Sequence, residues 1–309
     1  MREIVIGTRE SALALWQTRW VEQKLKHLWP QYRFSLVPIK TKGDKILDVA
    51  LAKIGDKGLF TKELEVAMLK KKIDMAVHSM KDVPTKIPHG LTIGAVCQRE
   101  DPGDVVISHK GYQLANLPRE AKVGTSSLRR RAQLLKFRPD LCLHDLRGNL
   151  NTRLLKMENA DLDAIILAAA GVKRMGWENK ITDYIGYDVC LPAVGQGSIG
   201  VECRDDDEEI LKVVGRLNDR DAADAIEAER SFLRCLEGGC QIPIGSLGQV
   251  QGNELELKGL VASLDGTQVL RSSVIGNRSD AAWLGEKLAE KLIEMGAREI
   301  LAAVRKTVE

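Results

Sequence analysis

The sequence has no C-x-x-C pair, no long apolar run and few aromatic side chains, which make up 4% of its 309 residues. A membrane-crossing helix needs about 18 or more consecutive apolar residues, and none is present, so no transmembrane segment is expected. The six cysteines, at 97, 142, 190, 203, 235 and 240, form no Cys/His cluster. The closest two, Cys235 and Cys240, have no second pair downstream, so no metal site is expected. The start, MREIVIGTRE, lacks the apolar core of a signal peptide and reads as a strand of the fold. A cytoplasmic protein with reduced thiols is therefore expected. There is no phosphate-binding P-loop, and no helix-turn-helix precedes the first strand, which counts against a DNA-binding regulator. The lack of a coiled-coil seam favours a monomer. The remaining composition, 44% hydrophobic and 29% charged with a net charge of +3, suits an ordinary globular chain long enough for two or three domains.

The pattern along the chain reads as α/β. IVI at 4–6 is a strand, Gly7-Thr8-Arg9-Glu10 a tight turn, and Ser11 the N-cap of a helix reaching about Leu28. Leu13, Trp16, Trp20 and Leu28 are expected along its apolar side. A strand FSLVPIK follows, then a lysine- and glycine-rich loop over 41–58. A helix is expected from about Leu59 to Lys71, then strands DMAVHS at 74–79 and LTIGAVC at 91–97. REDPGD at 99–104 reads as a linker. The pattern then repeats: strand, Gly124-Thr125 turn, Ser127, helix LRRRAQLLKF. LDAIILAAAG at 162–171 echoes IDMAVHSMKD at 73–82. Strands alternating with helices imply parallel sheets, hence two α/β domains of one type. From about residue 220 the texture changes to a helix, two strands (ELELKGLVAS and TQVLRSSVIG) around the hairpin signal Asp265-Gly266, and a long helix over roughly 280–304. These form a small α+β third domain.

Both Gly-Thr turns feed a helix N-terminus, where free N–H groups and the helix dipole favour an anion. Arg9 and Ser11 stand at the first turn; Ser127, Arg129 and Arg130 stand at the second. Residues 122–153 hold eight Lys or Arg against two Asp, a local balance of +6. A solvated helix face would explain that count. Nucleic acid fits it poorly, because no aromatics interleave for base stacking. Arginines at strand ends suit bidentate capture of carboxylates, so a polyanionic ligand is the functional reading. Asp82, in HSMKDVP, is either the cap of a turn or a carboxylate at the mouth of a cleft, able to stabilise a cation or move a proton. His78 reads as structural. In CLEGGCQIP, Gly238 and Gly239 stop a helix and Pro243 prevents its resumption, which leaves Cys240 on a loop. Packing, redox sensing and covalent attachment are all open for it.

Taken together, IGTRESALALWQ, GDKGLFTKELE, AVHSMKDVP, GTSSLRR, LRGNLNTRL, LPAVGQG and LEGGCQIPIG, in this order, resemble the porphobilinogen deaminase (hydroxymethylbilane synthase) family. The resemblance implies two periplasmic-binding-protein-like domains with a central cleft plus the third domain. Its boundaries are 1–97 with 198–216, 103–191, and 220–309. It implies a dipyrromethane cofactor joined by a thioether to Cys240. Four porphobilinogens condense on it with loss of ammonia, and hydrolysis then releases a linear tetrapyrrole. Asp82 corresponds to the catalytic carboxylate. Arg9, Ser11, Lys81, Thr125, Ser127, Arg129, Arg130, Arg147, Arg153 and Arg174 correspond to binders of cofactor and substrate, with Gln17 and Gln196 as further candidates. Lys53 and Lys57 fall on a lid-like segment, and Arg131 is expected on the surface. The competing reading is a non-catalytic two-domain anion-binding protein, which would need neither Asp82 nor an accessible Cys240.

Overall fold

The computed structural model describes residues 2–45, 58–236 and 242–308. These divide into two compact units, one comprising 2–45, 58–100 and 198–223, the other 101–197, 224–236 and 242–308. The first unit is built on β1 (Glu3–Thr8), β2 (Arg33–Pro38), β3 (Met75–Ser79), β4 (Leu91–Val96) and β10 (Ile199–Arg204), in the order β2-β1-β3-β10-β4. The second carries β5 (Asp104–Ile107), β6 (Lys122–Gly124), β7 (Cys142–His144), β8 (Ala164–Ala168) and β9 (Asp183–Ile185), in the order β7-β6-β8-β5-β9. Position by position the two sheets match. β1 and β6 sit second, β3 and β8 third, and β10 and β5 fourth, so the echo between 73–82 and 162–171 is a true structural repeat. These are two α/β sheets of one topology.

Neither sheet is wholly parallel. β10 runs antiparallel to β3 and β4, and β5 runs antiparallel to β8 and β9. Each is the strand by which the chain enters its unit from the other. A crossover helix enforces parallel pairing, and neither of these strands arrives through one within its own sheet.

Alternation along the strands sets the core. One face of the first sheet packs Ile4, Ile6, Met75, Val77 and Val201 against Val21 and Leu25 of α1 (Ala12–Leu28) and Ile210, Val213 and Val214 of α7 (Glu208–Gly215). Each such side chain stabilises the unit by about 1.5–3 kcal/mol. Ser11 caps α1, accepting from Ala14 N–H at 3.4 Å. The buried stripe of α1 is Ala14, Gln17, Thr18, Val21 and Leu25, not the one expected. Trp16 and Leu28 are exposed, because the sheet meets the face that carries Gln17 and Thr18, two polar residues with partners of their own. The other face of the sheet packs Ala76 and Ile73 against Leu64, Ala67 and Met68 of α3 (Lys62–Leu69). Between these helices, α2 spans only Lys42–Lys45.

The second unit adds α4 (Leu128–Phe137), α5 (Leu150–Asn159) and α6 (Ala169–Arg174). It also holds a three-stranded antiparallel sheet, β11 (Ile244–Gln251), β12 (Glu254–Ala262) and β13 (Val269–Asn277). α8 (Arg220–Cys235), α9 (Ala281–Glu294) and α10 (Ala297–Val308) accompany that sheet. β11 escapes sequence reading because its glycines dilute the alternation. The expected long C-terminal helix is two helices, divided at Gly296, whose φ of +102° suits a C-terminal stop. At the hairpin tip, Gly266 has φ +72°, and a Cβ there would overlap the Ala132 carbonyl of α4. Only glycine meets both demands.

Candidate functional site

In the first unit, β1 ends at Thr8 and the chain turns through Arg9 into α1. β3 ends at Ser79 and passes into a 3-10 turn, Met80–Asp82. Within that turn Met80 and Val83 are buried and Met80 N–H donates to Ser198 O at 3.0 Å. Gly200 accommodates the Met80 thioether where a Cβ would overlap it. Two anchored apolar residues thereby leave Lys81 and Asp82 facing outward. Arg9, Ser11, Gln17, Ser79, Lys81, Asp82 and Phe60 line one pocket, which unites candidates from two separate stretches, 9–17 and 81–82.

Arg9 is the hub. Its Nη2 lies 2.5 Å from Asp44 Oδ1 and its Nε 3.3 Å from Asp44 Oδ2. Its Nη1 lies 3.8 Å from Asp82 Oδ2, and its guanidinium carbon stacks 4.1 Å above the Phe60 ring, a cation–π placement. Gly43 lets that ring approach, since a Cβ there would overlap it. Burial pushes the Asp44 carboxyl up, but Arg9 and Thr41 outweigh it and hold the pKa below the usual value. Gln17 is buried and its Nε2 donates to Ser79 Oγ at 2.9 Å, so it ties α1 to the end of β3. His78 is buried with Nε2 3.0 Å from Glu202, the structural role expected of it. Phe60 and Asp44 were not named as site residues: Asp44 lies in the loop read over 41–58 and Phe60 at the start of the expected helix, and nothing local to either marks its contact with Arg9.

Glu65 of α3 is 8% exposed. Burial raises its pKa, and repulsion from Glu202 raises it further. A folded-state pKa above the unfolded one means that stability is fully present below about pH 4.3 and falls as pH rises through the raised value. Glu65→Gln is therefore expected to raise Tm by roughly 2–4 °C at pH 8, with the gain vanishing near pH 4. Thermal melts of both proteins across that range check it.

In the second unit, Ser127 caps α4, accepting from Arg130 N–H. Thr125 is buried and its hydroxyl accepts from Ser127 N–H at 3.3 Å, so it shapes the turn itself. Ser126 Oγ donates to Leu146 O at 3.0 Å and accepts from Leu146 N–H at 2.8 Å, which brings Arg147 beside the turn. Arg147 Nη1 is buried with no partner among the described residues, and burial depresses its pKa. Arg153 Nε donates to Gly148 O and Arg174 Nη2 to Gly197 O. Arg131 reaches Leu143 O at 3.2 Å with its side chain 29% exposed.

Arg129 and Arg130 sit where the +6 count would not place them. They are 4% and 5% exposed, and both bond Asp104, Arg129 Nη1 at 2.7 Å and Arg130 Nη2 at 2.7 Å. The charge count registered two arginines but not the carboxylate twenty-five residues earlier that partly neutralises them. Gln196 Nε2 donates to Asp104 Oδ1 at 2.9 Å and to Pro102 O at 2.6 Å. Lys53, Lys57 and Cys240 lie outside the described residues.

This donor set fits a group bearing several carboxylates. The buried Nε of Arg129 and of Arg130 and Nη1 of Arg147 are donors without partners among the described residues, and one carboxylate shared by two arginines leaves a net positive charge. No group of three or more His, Cys, Asp or Glu among the described residues could hold a metal ion.

Residues 4–212 match the family model described as the porphobilinogen deaminase dipyrromethane cofactor binding domain, and residues 223–294 match that family's C-terminal domain. The chain is 60% identical to a porphobilinogen deaminase of Pelotomaculum thermopropionicum over 304 residues, covering 98% of this chain and 97% of the relative. It is 58% identical to that of Desulforamulus reducens, covering 98% of each. With that of Carboxydothermus hydrogenoformans it shares 59% identity, over 99% of this chain and 98% of the relative.

Proposed function

The chain belongs to the porphobilinogen deaminase family, and from that membership we propose that it joins four porphobilinogens into a linear tetrapyrrole on a dipyrromethane carried by Cys240. When bound, the dipyrromethane supplies the pyrrole α-carbon at which the first unit is added. The observation that carries the reading is the setting of Asp82: a carboxylate with 30% of its side chain exposed, in a pocket shared with Arg9 and Lys81.

Arg9 and Lys81 take the acetate and propionate of the incoming porphobilinogen, leaving Asp82 beside its pyrrole. As the protonated aminomethyl group departs as ammonia, Asp82 stabilises the cationic azafulvene left behind. The new C–C bond displaces the α-carbon proton, which Asp82 accepts and passes to water. Arg129, Arg147, Arg153 and Arg174 hold carboxylates of the growing chain, with Arg130 bracing Arg129 and Ser11, Ser127, Thr125, Gln17 and Gln196 fixing the turns around them. Lys53, Lys57 and Cys240 keep the roles implied by their motifs. Among the described residues no helix is long and apolar enough to cross a membrane, and a cytoplasmic location suits a pathway whose substrate and product are both water-soluble polyanions.

Incubation with porphobilinogen tests this. Equal consumption of porphobilinogen and release of ammonia, with one tetrapyrrole for every four consumed, is the expected result. Binding without ammonia release would leave the anion-binding alternative standing.

A further inference from the structure

Arg129 and Arg130 are neighbours on one helix turn and share one carboxylate, but their guanidinium groups are used differently. Arg130 spends both terminal nitrogens inside the protein: Nη1 donates to Ile166 O at 2.8 Å and Nη2 to Asp104 Oδ1 at 2.7 Å. Arg129 spends one. Its Nη1 donates to Asp104 Oδ2 at 2.7 Å, to Leu191 O at 2.6 Å and to Cys190 Sγ at 3.3 Å. The Nε and Nη2 of Arg129, the two donors of its side-on fork, have no partner among the described residues. That fork is the edge with which arginine receives a carboxylate through two parallel bonds.

Asp104 fixes which edge is anchored and which is presented. Its side chain has no exposure and also accepts from Gln196 Nε2 at 2.9 Å and from the Cys190 thiol at 3.4 Å. Burial raises the Cys190 pKa to about 12, so the thiol stays neutral and adds no second anion. An arginine side chain is a cation in a protein. Two cations and one anion leave this buried cluster one positive charge in excess, and burying an unpaired charge is strongly unfavourable. The missing anion belongs at the one fork left open.

We propose that Asp104 is a positioning residue for ligand binding, which with Arg130 as its brace orients Arg129 so that the Nε/Nη2 edge alone meets a carboxylate of the dipyrromethane or the growing chain. This rests on the reading above that Arg129 receives a ligand carboxylate. A bond to a charged group is worth about 1.5–3 kcal/mol, so losing the orientation corresponds to roughly 10-fold to 150-fold in affinity.

The test compares Asp104→Asn, Asp104→Glu and Arg129→Leu with the wild type. The unloaded proteins are incubated with porphobilinogen and the rate of covalent adduct formation is followed by denatured intact mass. KM and kcat are then measured on whatever loads. Asp104→Asn is expected to slow loading at least about 10-fold and to raise KM more than it lowers kcat. Asp104→Glu, which keeps the charge but displaces it by one methylene, is expected to fall between and serves if the Asn variant does not fold. Asp104→Asn combined with Arg129→Leu is expected to load no more slowly than Arg129→Leu alone, since the effect acts through Arg129. Wild-type loading and KM in a folded Asp104 variant, whatever its Tm, would overturn the inference. Wild-type loading and KM in Arg129→Leu would instead overturn the underlying reading of Arg129.

Discussion

Asp82→Asn is expected to retain its bound cofactor and to lower kcat by about 10²–10⁴-fold, the usual worth of a positioned acid–base group. The substitution keeps the size of the side chain and one acceptor oxygen. It removes the charge that faces Arg9 at 3.8 Å and would face the cationic pyrrole. The fold should be unaffected, because Met80 and Val83 anchor the turn and Asp82 makes no part of that anchorage. KM should change much less than kcat, since Arg9 retains its bonds to Asp44. Ammonia release in a single turnover reads the chemical step directly. A rate within about threefold of wild type would remove Asp82 from the mechanism, since a real acid–base group is worth far more.

Cys240→Ser is expected to abolish both the covalent adduct and the activity, the largest effect of all. Attachment needs a thiolate, and the other thiols are poorly suited to compete. Cys97, Cys190 and Cys203 are buried, and burial raises the pKa of Cys190 and of Cys203 to about 12. Cys235 is also raised, by burial and by the nearby Glu286. Cys142, exposed on β7, is the informative control. Denatured mass and peptide mapping should place two linked pyrroles on the peptide containing Cys240, and Cys142→Ala should retain them. An adduct surviving in Cys240→Ser would move the attachment elsewhere.

What could be read without coordinates follows from what is local. Ser11 and Ser127 announce their helices because an N-cap acts within three residues, and both cap as expected. The pocket residues Arg9, Ser11, Gln17, Lys81 and Asp82 carried motif signals strong enough to be named in advance. Pairings distant in sequence could not be seen. Asp104 lay in a segment read only as linker, though it bonds residues 25, 26 and 92 positions away. The stripe on α1 went to Gln17 and Thr18 because their partners, Ser79 and Thr8, come from other strands. The direction of β5 and β10 depends on how the chain arrives, which periodicity does not record.

β10 has a consequence for how the molecule is made. It is an inner strand of the first sheet, buried along its whole length, and it follows all of residues 101–197 in the chain. A ribosome therefore emits the first sheet with a gap between β3 and β4, and the gap closes only after the second sheet's strands have been synthesised. Closing a long flexible loop becomes costlier with length, by about 0.6 kcal/mol per doubling. Folding of the intervening segment removes most of that penalty, because Gln196 then clips to Pro102 and Asp104 and brings the outgoing and returning chain side by side. Folding of the second sheet thus precedes completion of the first, and an N-terminal fragment ending before residue 199 should remain without a finished core.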